Sequence, residues 1–443
     1  MGPVVSGIQI EEESLEVPLD WRGLNPKDEK EVEKRMEEEK ISISYKVLKK
    51  AGSGKKSLGP LIYFQGGPGE KCPRPLGINS CKPWIKTALD AGFEVVLPDQ
   101  RGVGNSSPIT PSLLLKRGGA KEQAEYLKRF LARSISCDME WIRLKKFEGQ
   151  KWTSLGQSFG GFITMTSLSF FPDSFSLCFT TGGIPKIPSD IDKVYEKTYE
   201  RLKEKNEKYF EIFPKDRDLV CRIADRISSG SYLLPNGDKM SVERLQSLGQ
   251  QFGMSTGFAS VHWMMDEALE GSGLSENFLK DVWEATSSYG SELYWTLQEA
   301  IYMDGDGKKP GWEAEKLRNK MPQFSPDARP LLFTGEMNYK WRFEQDKALV
   351  PFKDAEYALE ESEDWDPIFS IPQLRENPVP LYAMVYFNDM YVPREWSIES
   401  LKEIGNSHSF VTSEFEHDGI RVSNAFEKIL DLAVKNGDAT IWS

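Results

Sequence analysis

Short apolar runs rich in β-branched and aromatic residues recur along the first part of the chain, and three of them break into polar, glycine-bearing loops. Residues 41–47, 60–64, 93–97 and 152–155 read as strands. The last three end in Gln65-Gly66-Gly67-Pro68-Gly69, Asp99-Gln100-Arg101-Gly102 and Gly156-Gln157-Ser158-Phe159-Gly160-Gly161. Strands separated by helical periodicity predict a mostly parallel sheet with helices on both faces.

After Thr180-Thr181-Gly182-Gly183 the texture changes. From about 187 to 321 the chain is charged and helix-rich, with aromatic patches and no convincing strand. Strand signals return at 330–334, 381–387 and 410–415, and a helix around 424–434 closes the sequence. The pattern predicts a core over 1–185, a helical cap over 186–325 and a second part of the core over 326–443. In an open sheet of this kind the ligand crevice lies at the carboxyl ends of the strands.

Composition narrows the class. With 443 residues, 39% hydrophobic and 28% charged, the chain suits a globular enzyme with a large core. No apolar run reaches the length that a membrane span needs, about 18 residues. The acidic first 15 positions hold no apolar signal segment, so a cytoplasmic protein is expected. A net charge of -12 argues against nucleic acid, which demands a basic surface. Five scattered cysteines signal neither zinc nor a disulfide framework. Free thiols are expected, with Cys72 and Cys81 able to meet only through a loop. Gly52-Ser53-Gly54-Lys55 lacks the spacing of a phosphate-binding loop and reads as a turn. Oligomeric state is not encoded in any of these patterns.

The candidate chemistry starts from G-x-S-x-G at 156–160, a strand breaking into a nucleophile elbow. There the serine sits on a strained strand-to-helix corner, flanked by glycines that permit close backbone approach. A serine hydroxyl needs a general base, and on this fold the chain order is serine, acid, histidine. Of three histidines, His262 falls within the cap and His408 and His417 flank the strand at 410–415, so only His417 comes at the elbow end. Asp389 follows the preceding strand and is the chosen acid, with Glu336 after the strand at 330–334 as the runner-up. Asp99 precedes the serine and reads as a loop brace paired with Arg101. Two backbone N–H groups, one from Phe159 and one from the loop 65–69, are expected to hold the oxyanion.

Gln65-Gly66-Gly67-Pro68-Gly69, Asp99-Gln100-Arg101-Gly102-x-Gly104-x-Ser106, the elbow and the late His417 together closely resemble the prolyl iminopeptidases, α/β-hydrolases with a helical cap. Glutamine in place of the histidine opening H-G-G-P-G resembles their longer fungal, plant and bacterial branch. Thr181-Gly182-Gly183-Ile184-Pro185, Leu297-Gln298-Glu299-Ala300-Ile301-Tyr302 and Glu414 to Arg421 extend the likeness over nearly the whole chain. The resemblance implies release of N-terminal proline through an acyl-enzyme by Ser158, Asp389 and His417, with Phe159 and Gly67 as oxyanion donors. It implies no metal and no organic cofactor. An aminopeptidase must also receive a cationic amine near the scissile carbonyl, for which a buried carboxylate is the natural partner. Glu299 matches the family's cap glutamate, and Glu336 is the second candidate. Trp263, Tyr294, Trp295 and Tyr302 are candidates to wall a proline-sized pocket.

The sequence departs from the family at Glu70, at the basic stretch Asn338-Tyr339-Lys340-Trp341-Arg342, and at Glu416 and Asp418 beside His417. Acids approaching His417 would raise its pKa, and Lys340 or Arg342 in the pocket would oppose an amine. Two other readings follow: a divergent esterase, amidase or acyl-transfer enzyme with the same triad and another small-molecule substrate, and a ligand-binding descendant without turnover. The second would be expected to lack a triad member, and none is missing.

Overall fold

The computed structural model describes residues 2–54 and 56–440. A nine-stranded sheet forms its centre, built from β1 (Val4–Val5), β2 (Ile8–Pro18), β3 (Lys40–Lys50), β4 (Pro60–Phe64), β5 (Glu94–Pro98), β6 (Trp152–Gln157), β7 (Phe175–Thr181), β8 (Leu381–Tyr386) and β9 (Ser407–Thr412). Their spatial order is β1-β2-β3-β5-β4-β6-β7-β8-β9. β1, β2 and β3 run antiparallel to their neighbours, and everything from β5 to β9 is parallel.

Burial explains the strand sequences. All residues of β4, β6 and β8 are buried, so they read as unbroken apolar or small-residue runs rather than alternating ones, as central parallel strands do. One face is covered by α1 (Pro83–Ala91) and the C-terminal helix Ala425–Asn436, whose Trp84, Ile85, Phe426 and Ile429 join a core with Tyr63, Leu97 and Phe179. The other face carries α2 (Ala132–Lys146) and α3 (Phe159–Phe170). Eleven of the 12 residues of α3 are buried, which fits a helix apolar on all sides that is enclosed by its neighbours. The N-terminal strands are tied in by Arg101, which is fully buried against Asp138 at 2.6 Å and donates to the carbonyls of Pro18 and Leu19, while Trp21 Nε1 donates to Asp138.

Among the described residues, 182–380 add no strand to this sheet. The segment is helical, led by α4 (Ile191–Ile212), which Asp190 caps by accepting from Lys193 N. Val194, Tyr195, Thr198, Tyr199, Leu202, Tyr209 and Phe210 form its buried stripe at helical spacing. The strand expected at 330–334 does not form. Its backbone is bonded instead by cap residues: Asn206 Nδ2 donates to Phe333 O and Asn206 Oδ1 accepts from Phe333 N. In addition, Gln246 Nε2 donates to Leu332 O and Gln246 O accepts from Thr334 N. An apolar run whose backbone finds partners on neighbouring helices has no need of a sheet. The last strand also lies earlier than 410–415, which puts His408 inside β9, stacked on Tyr382 with ring centroids 4.6 Å apart.

Candidate active site

Ser158 stands between β6 and α3 with φ 56° and ψ -125°, outside the favoured regions for an L-residue. The glycines around it are there for space. A Cβ on Gly160 would lie 1.9 Å from Phe64 O, and one on Gly156 would lie 2.3 Å from Gly160 O. Phe159 is the first residue of α3, where a backbone N–H has no intrahelical acceptor. The loop 65–69 crosses close by: a Cβ on Gly66 would meet Gln157 O at 2.8 Å, Gly67 has φ 126°, and Gln100 Nε2 holds Gln65 O at 2.8 Å.

His417 follows β9 and Asp389 follows β8. His417 Nδ1 lies 2.7 Å from Asp389 Oδ2, and both side chains are buried. Asp389 Oδ1 accepts from the backbone N–H groups of Tyr391 and Val392 at 2.8 and 3.0 Å. So held, Asp389 accepts a hydrogen bond from the Nδ1–H of the imidazole and leaves Nε2 as the base. The backbone N–H of His417 donates to Gly253 O, and the Tyr391 ring packs edge-on against the imidazole at 4.7 Å.

Ser158, His417, Gly67 and Glu336 line one cleft of about 340 Å³, together with Glu70, Ser291, Tyr294, Trp295, Tyr391 and Arg421. Glu336 accepts a hydrogen bond from Tyr294 Oη. Burial pushes its pKa up to about 7, against the pull of that hydroxyl and of His417 and Arg421. The runner-up acid is therefore a cleft carboxylate, while Asp389 holds the histidine.

Glu299 does not line the cleft. It is fully buried, with Oε2 accepting from Glu313 N at 2.8 Å and Oε1 from Ala314 N at 3.1 Å. Burial and the neighbouring Glu360 hold its pKa well above the usual carboxylate range. Glu360 accepts from Trp312 N, and Glu356 accepts from Asn338 Nδ2. This buried glutamate group was missed from the sequence. The signal was Glu356 and Glu360 sharing one face of Lys353–Glu360 with Phe352 and Leu359, a face that the structure buries.

The other expectations sort as follows. Asp99 braces its loop through Arg74, which contacts both carboxylate oxygens, and not through Arg101. Cys72 and Cys81 are both free. Tyr294 and Trp295 line the cleft, whereas Trp263 is 62% exposed and Tyr302 is packed between Phe162 and Tyr195. His262 stacks on Phe213 and bonds Asp216. The departures near His417 are occupied elsewhere, Glu416 by Lys205 at 2.7 Å and Asp418 by Ser255. Lys340 and Arg342 also miss the cleft. Arg342 is buried, 3.6 Å from the Trp295 ring centroid, and burial lowers its pKa to about 9.

A strained serine at the carboxyl end of a central strand, sharing a cleft with a histidine that an aspartate from another strand end holds, defines an α/β-hydrolase. The model of the α/β-hydrolase fold family matches residues 59–216. A proline iminopeptidase of Aeromonas sobria is 37% identical over 433 residues, 98% of this chain and 97% of that protein. One from Aspergillus aculeatus is 31% identical over 370 residues, 81% of each. The chain belongs to the proline iminopeptidase family. The crystal structure of a proline iminopeptidase from Mycobacterium smegmatis aligns with 96% of this chain and 99% of its own at 13% identity and a TM-score of 0.42. Among the described residues no helix is long and apolar enough to cross a membrane.

Proposed function

We propose that the protein is a serine aminopeptidase that releases N-terminal proline from small peptides. The observation that carries this reading is a half-buried carboxylate, Glu336, in the same cleft as Ser158 and His417. A cation-binding group beside a hydrolytic serine suits a substrate whose charged amine sits on the same residue as the scissile carbonyl.

Ser158 Oγ attacks the prolyl carbonyl as His417 Nε2 takes its proton, and Asp389 stabilises the imidazolium. The backbone N–H groups of Phe159 and Gly67 hold the oxyanion. His417 then protonates the leaving nitrogen, the peptide departs, and water activated by the same histidine hydrolyses the prolyl ester. Glu336 accepts the proline imino group. A protonated amine at that position favours the ionised form and so opposes the burial that raises the Glu336 pKa. Trp295 and Tyr391 supply apolar surface to the ring.

The test is hydrolysis of proline β-naphthylamide, its N-acetylated form and a p-nitrophenyl ester by wild type and Ser158→Ala. Cleavage of the free-amine prolyl substrate over its acetylated form, lost in the variant, is the expected result. Ester cleavage alone would keep the serine chemistry and remove the aminopeptidase reading.

A further inference from the structure

Arg421 is the only lysine or arginine among the described residues lining the cleft. It sits in the short turn of helix Gly419–Val422, just beyond His417. Its Nη2 donates to Gln157 Oε1 at 2.9 Å, which anchors the guanidinium at the residue preceding the nucleophile. A guanidinium offers five N–H donors, and among the described residues no carboxylate comes within 4.0 Å of this one.

The two carboxylates that could neutralise it are held by the cap. Ser291 Oγ donates to Glu70 Oε1 at 2.8 Å, and Tyr294 Oη donates to Glu336. Both nevertheless feel the arginine, whose charge draws their pKa values down against burial. Arg421 is thus close to both and paired with neither, a cation facing the ligand space beside the nucleophile.

Its position relative to the reaction follows from proton transfer. The leaving nitrogen receives its proton from His417, so the leaving residue lies on the histidine side of the scissile bond, and Arg421 lines the same cleft four residues beyond that histidine. In a dipeptide the free carboxylate is one α-carbon beyond that nitrogen, within the span of a single residue, about 3.8 Å.

Building on the proline-aminopeptidase reading, we propose that Arg421 forms the subsite for the leaving residue. There it pairs with the free α-carboxylate of a Pro-Xaa dipeptide and makes dipeptides the preferred substrate class. Glu336 and Arg421 then match the two charges of one zwitterion, amine on the acyl side and carboxylate on the leaving side.

The experiment measures kcat/KM for Pro-Gly, Pro-Gly amide and proline β-naphthylamide with wild type, Arg421→Gln and Arg421→Lys, after melting curves establish that each variant is folded. Wild type is expected to prefer Pro-Gly over its amide by about tenfold or more, the scale of one charge-assisted pair, chiefly through KM. The ratio should fall to about one in Arg421→Gln and be partly kept in Arg421→Lys. A wild-type ratio near one, or a ratio that Arg421→Gln leaves unmoved, overturns the subsite even while prolyl naphthylamide is cleaved. Wild type inert on all three substrates overturns the proline reading and the subsite with it.

Discussion

One side of the cleft comes from the ends of sheet strands, the other from the helical segment between β7 and β8, and the two sides fix their side chains by different means. On the sheet side the backbone decides. Ser158 is held at a positive φ by glycines that no larger residue could replace, and Asp389 is pinned by two backbone N–H groups. On the helical side, side chains decide: Tyr294 holds Glu336, Ser291 holds Glu70, and Arg342 backs Trp295 through a ring face. Reaction chemistry therefore tolerates little change on one side, whereas substrate choice can drift on the other through single substitutions.

The largest effects belong to the sheet side. Ser158→Ala should lower kcat by about 10⁴-fold or more with the fold intact, measured on any substrate the wild type cleaves. Asp389→Asn should cost about 10³ to 10⁴-fold, because an amide at that position no longer enforces the Nδ1–H tautomer. If Asp389→Asn costs less than about tenfold while Glu336→Gln abolishes ester hydrolysis, the acid has been assigned to the wrong residue.

The helical side should answer through selectivity. Glu336→Gln is expected to lower the ratio of kcat/KM for prolyl naphthylamide over that for a p-nitrophenyl ester by about 10 to 100-fold, the cost of one charge-assisted contact. A ratio that stays put would detach Glu336 from the amine.

The same carboxylate sets a pH signature. Burial keeps Glu336 protonated below about 7 and ionised above, and only the ionised form pairs with a cationic amine. The amine-to-ester ratio should therefore rise several-fold from about pH 6 to about pH 7.5, below the point where the substrate amine itself deprotonates. The triad serves both reactions and cancels in the ratio. Glu336→Gln should flatten the curve, and a flat wild-type curve would remove Glu336 from recognition.

What could be read from the sequence divides along the same line. Strand ends announce themselves, since an all-buried parallel strand is an apolar run and its elbow needs glycine where the backbone crowds. Ser158, Asp389 and His417 were legible as a set for that reason. Residues 330–334 carry the same apolar signature but find their hydrogen bonds on Asn206 and Gln246, more than 80 positions away. A composition that suits a strand is equally at home against helices. The direction a side chain of the helical segment between β7 and β8 faces was less legible still. Glu299 and Glu336 were both candidates for the amine, and only the fold turns Glu336 toward the cleft and encloses Glu299.

That contrast gives the smallest expected effect and the sharpest test of the division. Glu299 has its two oxygens committed to Glu313 N and Ala314 N, and its pKa is held high by burial and Glu360. Burial and Glu360 favour its neutral form, and Glu299→Gln places a neutral amide of nearly the same shape there. The variant turns one acceptor oxygen into an amide and leaves one backbone N–H short of a partner, at a cost of about 1 to 2 kcal/mol in stability. A small fall in melting temperature with the amine-to-ester ratio within about threefold of wild type is the expected outcome, the ratio being the readout that a role in packing alone does not move. A collapse of the ratio as large as that of Glu336→Gln would bring Glu299 into amine recognition, as the family resemblance implies. The cleft would then open toward Tyr302 and Tyr195 when substrate binds, since both tyrosines are buried beside the two glutamates.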